Sequence, residues 1–124
     1  GPPFAAANFL SAAKTDTVIT GAPANTVIFE FTGALLANDI VPGTTTAAVI
    51  EGWAATALAS VDHTNAADEL LIILYDTGTG ANLDAAIFAF SGDVTLTGML
   101  AAEFRLIAVV ESVTLDSITS GNFK

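Results

Sequence analysis

Residues 69–113 read ELLIILYDTGTGANLDAAIFAFSGDVTLTGMLAAEFRLIAVVESV, and the spacing of apolar residues in this stretch decides the fold. Leu70-Leu71-Ile72-Ile73-Leu74 is a short unbroken apolar run bounded by turn signals, which predicts a strand buried on both faces and central in a sheet. Residues 86–90 alternate more cleanly. Residues 104–110 form a third block of β-formers, after a segment at 96–103 with room for one helical turn. Between the first two blocks runs Asp76-Thr77-Gly78-Thr79-Gly80-Ala81-Asn82-Leu83-Asp84, dense in turn formers, and Ser91-Gly92-Asp93 marks the second break.

Upstream, the pattern changes period. Val49, Ile50, Trp53, Ala57 and Leu58 recur at spacings of one, three and four, which predicts a helix over 45–60 with one buried face and Trp53 as a core anchor. Thr44 or Thr45 can cap it. Gly52 costs about 1 kcal/mol relative to alanine inside a helix, a sign of close packing or of simple tolerance. Before it, Val41-Pro42-Gly43 is a breaker, residues 35–40 read as extended, and NTVIFEF at 25–31 reads as a strand. Val18 and Ile19 predict a short strand, joined to 25–31 by a hairpin-like link at Gly21-Ala22-Pro23.

Residues 1–15 carry no charge before Lys14 and are too apolar to stay solvated, yet too short to span a membrane. They read as an arm that adds a strand to the chain's own sheet or to that of a neighbouring copy. Residues 114–124 read as a polar tail. Together these elements predict a single α+β domain over residues 1–124, a mostly antiparallel sheet with one main helix packed on a face. A β-sandwich with a helical excursion is the alternative.

The order of parts in 69–113 (an apolar run ending in Leu74-Tyr75-Asp76, a Gly/Asn/Asp turn, an alternating strand, Ser91-Gly92-Asp93, a Leu-Thr-x-x-x-x-Ala-Glu-Phe link and a last strand) resembles the C-terminal modules of RTX-type proteins exported by bacterial type I secretion. The resemblance implies an extracellular or cell-surface protein that crosses the membrane unfolded and folds outside. It implies a secretion class rather than a reaction class. Two features depart from that pattern: the tandem Gly-Gly-x-Gly-x-Asp repeats are absent, and Asn122-Phe123 is followed by Lys124 where such modules end on an apolar residue.

Charge narrows the partners further. Three basic residues, Lys14, Arg105 and Lys124, stand against thirteen acidic ones for a net charge of −10, which repels the phosphate backbone that dominates nucleic-acid affinity. Apolar residues make up 52% of the chain, but Glu30, Glu51, Asp76 and Arg105 cut every long run well short of the ~20 residues of a membrane helix. With no cysteine, there is no disulfide framework, thiol nucleophile or thiolate metal site. The start GPPFAAANFL lacks the basic n-region of a signal peptide.

For chemistry, the best candidate is the 76–84 loop, where Asp76, Asn82 and Asp84 offer oxygen ligands to a hard cation. Calcium takes about 6–8 oxygens, and Gly78 and Gly80 stand where a calcium loop places Asp or Asn, so binding would be weak or completed by a partner chain. The simpler reading is a hairpin turn. His63 is the only histidine, there is no Gly-x-Ser-x-Gly elbow, and it reads as an exposed loop residue. Asp68 and Glu69 point to opposite faces if extended, and Gly78-Thr79-Gly80 lacks the lysine of a P-loop. The sequence thus predicts a non-catalytic structural module without a cofactor, self-assembling as a homo-oligomer or filament by strand addition. The alternative is a small-ligand or ion-binding module.

Overall fold

The computed structural model describes residues 9–14, 28–61, 70–77, 83–91 and 98–122. Five strands lie side by side in chain order in one sheet: β1 (Phe9–Ala13), β2 (Ile28–Ala34), β3 (Leu70–Tyr75), β4 (Leu83–Phe90) and β5 (Phe104–Val113). The helix α1 (Ala47–Ala57) falls between β2 and β3. This is the expected α+β arrangement, with the continuous apolar run at its centre. The antiparallel ladders β3–β4 and β4–β5 are the longer ones. β1–β2 and β2–β3 are parallel, so β2, α1 and β3 make a βαβ crossover, the connection that adjacent parallel strands require. A single sheet, rather than two, accounts for all the described strands.

The helix begins at Thr46, whose hydroxyl accepts the Val49 N–H at 3.4 Å. The cap is one residue later than expected because Thr45 is taken by the preceding turn, where its Oγ1 accepts the Val41 N–H at 2.9 Å. Ile50, Ala54 and Leu58, four apart, are the helix-region residues buried against the sheet. That geometry rotates the face away from the expected stripe. Val49 is 45% exposed, and Trp53 is only partly buried against the core rather than its anchor. An added Cβ at Gly52 would meet nothing within 4 Å, so tolerance, not close packing, explains that glycine.

On the helix side of the sheet, Phe29 and Phe31 from β2, Ile72 and Leu74 from β3, and Phe88 and Phe90 from β4 form the main core. Phe104 closes it, with its ring edge-on to Phe88 and Phe90 at centroid separations of 5.4 and 5.0 Å, the tilted geometry that aromatic quadrupoles favour. Residues 35–40 bend instead of extending, yet Leu36 and Ile40 are buried in this core. Part of the 96–103 segment forms the expected turn, a 3-10 helix at Ala101–Glu103. There Glu103 Oε1 accepts the Leu100 N–H at 2.7 Å.

The opposite face buries Ile28, Ile73, Tyr75 and Ala85 beneath Ile118 from the C-terminal tail. Glu30 lies on this side, 1% exposed. Its carboxylate accepts the Ser11 hydroxyl at 2.6 Å and the Tyr75 hydroxyl, and Tyr75 Oη in turn accepts the Ile118 N–H at 3.2 Å. Burial, then the bond to Glu30, pushes the Tyr75 hydroxyl well above its ordinary pKa, so it stays a donor. This chain of bonds ties β1, β2, β3 and the tail together, and it satisfies a carboxylate that would be costly to bury alone. Asp116 adds a second tie, accepting the Gly33 N–H at 2.9 Å.

β5 is irregular. Its pairing with β4 slips between Ile87 and Phe88 and again between Leu83 and Ala85, which are bulges of the kind that concentrate on edge strands. Ser112 sits at the second with φ of 57°. The segment Phe9–Ala13 is a strand, as the arm reading expected, and pairs within its own chain in parallel with β2. The strand expected at Val18 and Ile19, its 21–23 link and His63 lie outside the described residues.

Candidate functional site

At the end of the sheet where β3 runs out, Asp76 is fully buried. Its Oδ1 accepts the Asp84 N–H at 3.0 Å and its Oδ2 the Ile40 N–H at 2.8 Å. The Asp76 N–H donates to the Asp84 carbonyl at 3.0 Å. Asp76 and Asp84 thus extend the β3–β4 ladder one step past Tyr75 and Ala85, while Asp84 Oδ1 accepts the Ser112 N–H at 3.0 Å and steadies the β5 bulge. A short acceptor side chain at each position satisfies amides that the irregular backbone leaves over.

Asp39 completes the cluster. Each of Asp39, Asp76 and Asp84 contributes a carboxylate oxygen to a group within 4.8 Å. Asn82, the third ligand expected from the sequence, lies outside the described residues. Asp39 was not legible as a partner because it precedes the helix and reaches the site only when Ile40 bonds to Asp76, 36 positions away. Its hydrogen bond with Asp76, then loss of water and the negative charges of Asp76 and Asp84, raise its pKa above the ordinary 3.8.

The sign of that shift makes a test. A raised pKa means that the folded state favours neutral Asp39, so its contribution is present below pH 3.8 and is lost as pH rises through the raised value. Asp39→Asn, which keeps hydrogen-bonding capacity and cannot ionise, should melt higher than the unsubstituted protein at pH 7. The gap should close below the ordinary carboxylate range. Equal melting temperatures at pH 7 would count against the like-charge contact.

A groove of about 330 Å³ also opens on the tail side, lined by Ile87, Val110, Val113, Ser117, Ile118 and Asn122. It has the volume of a small-ligand site, but among the described residues Ser117 and Asn122 are its only polar side chains, and such sites fix ligands with convergent polar groups. Among the described residues, no helix is long and apolar enough to cross a membrane. The chain matches no known protein family, no curated protein and no solved structure.

Proposed function

We propose that this domain is a non-catalytic structural module of a secreted or cell-surface protein, acting by self-association through its sheet edges. One observation carries the reading: both outer strands, β1 and β5, pair on one side only among the described strands. β5 runs for ten residues and exposes Ile107 by 53% and Val110 by 38%. A long apolar edge is a template for pairing with another chain. The extracellular setting rests on the resemblance of residues 69–113 to the C-terminal modules of type I secretion cargo.

Sedimentation velocity over a concentration series, with electron microscopy of the concentrated protein, tests the reading. Oligomers growing with concentration are expected, and Val110→Lys should suppress them. A protein that remains monomeric up to the solubility limit would overturn it.

A second reading, weak cation binding, is favoured by the three converging carboxylates at Asp39, Asp76 and Asp84. Asp76 and Asp84 already spend oxygens on three backbone amides, so calcium held there would be loosely bound, short of the oxygen count it prefers. Titration calorimetry with calcium separates the two readings. A tight site abolished by Asp39→Asn would make ion binding the primary role.

A further inference from the structure

The two edges differ in length and charge, and their directions are related. β1, β2 and β3 run parallel, and β4 then β5 each reverse, so β5 points the same way as β1. We infer that copies of this chain join head to tail, with β1 of one copy adding in parallel to the outer side of the second half of β5 of the next. This deepens the self-association reading and rests on it.

Charge and coverage select that arrangement. Lys14 directly follows β1, while β5 carries Arg105 near its start and Glu111 near its end. Parallel addition brings Lys14 to the Glu111 end. Antiparallel addition would bring it to Arg105, a repulsive pair in a chain with only three basic residues. The first half of the β5 edge is occupied, because Glu51 of α1 accepts the Leu106 N–H at 2.7 Å. The second half is where Val110 is exposed, and the five residues of β1 match its length. No rotation that reverses a strand is needed: a shift across the sheet, with the twist of about −20 to −25° per strand, carries one copy onto the next. Such a heterologous contact does not close, and repetition winds a filament.

Charge reversal tests the geometry. At low salt, Lys14→Glu and Glu111→Lys should each weaken association about tenfold, and the double reversal should recover to within about threefold of the unsubstituted protein. High salt should erase these differences. Because the chain has no cysteine, Ala13→Cys with Val113→Cys, the residues that this register sets opposite each other, gives a second readout. Within one copy these strands lie about 19 Å apart, four strand spacings, too far for a disulfide. Oxidation should therefore produce a covalent ladder on a denaturing gel. If the protein associates but neither the reversals nor the cysteine pair has an effect, the head-to-tail contact is wrong and self-association uses another surface. If nothing associates, both readings fall.

Discussion

Asp76→Ala should cost about 3–5 kcal/mol of folding stability, since it strands two amides whose lost partner is charged and buried. The Ile40 N–H at 2.8 Å and the Asp84 N–H at 3.0 Å both end on this carboxylate. Alanine supplies no acceptor at this fully buried position. Asp76→Asn keeps one oxygen and should lose roughly half as much. Because Ile40 anchors the bend that leads into α1, and Asp84 holds the β5 bulge through Ser112, the loss should appear as lower denaturation midpoints for the whole domain. Urea unfolding of the three proteins decides it, and an alanine variant as stable as the parent would show that these amides find other partners.

Gly98→Ala should be comparably severe, for a steric reason. Gly98 has φ of 79°, a left-handed conformation costing about 1–3 kcal/mol for residues other than glycine. A Cβ built there would lie 2.1 Å from the Ala59 carbonyl oxygen and 3.1 Å from its carbon. The obstacle is backbone just past α1, so no side chain can swing aside, and the overpacking adds about 1–3 kcal/mol. A fall of about 3–5 kcal/mol is expected, with Met99 and Phe104 drawn out of position in the core. Gly52→Ala is the matched control. It meets open space in a helix and should gain up to about 1 kcal/mol. Thermal unfolding of both variants checks the contrast, and similar effects at the two positions would refute the steric account.

The parts legible in the sequence are those whose signal is local. β3 was plain because burial on both faces leaves an unbroken apolar run, and α1 because its residues repeat at helical spacing. β4 begins at Leu83, three residues earlier than the alternation indicates, since Asp84 looks like a turn residue while serving as a strand residue. β5 continues through Glu111 and Ser112, which look like its end, because a bulge absorbs them. The parallel half of the sheet was hidden, since strand direction depends on the crossover and not on side-chain alternation. The buried helix face lies a fraction of a turn from the stripe that the spacing predicts, with Ala54 buried, Val49 exposed and Trp53 only partly covered. In the candidate site, Asp76 and Asp84 were found through turn chemistry, whereas Asp39 is contributed by the bend before α1. Glu30 reads in sequence as an interruption of an apolar strand, and its partners Ser11 and Tyr75 stand 19 and 45 positions away.

The bonds around Glu30 also set a timetable. A nascent polypeptide emerges from its N-terminal side, so Ser11 appears before Tyr75, and the Ile118 amide that steadies the Tyr75 hydroxyl follows both. Until then, Ile28, Ile73 and Ala85 have no lid, and the carboxylate between them lacks its full set of donors. The helix-side core, complete by Phe104, does not wait for the tail, whereas the opposite face does, and its long-range strand pairing is slow to form. Closing this face of the sheet therefore waits on Ile118, which follows every other member of the cluster in the chain.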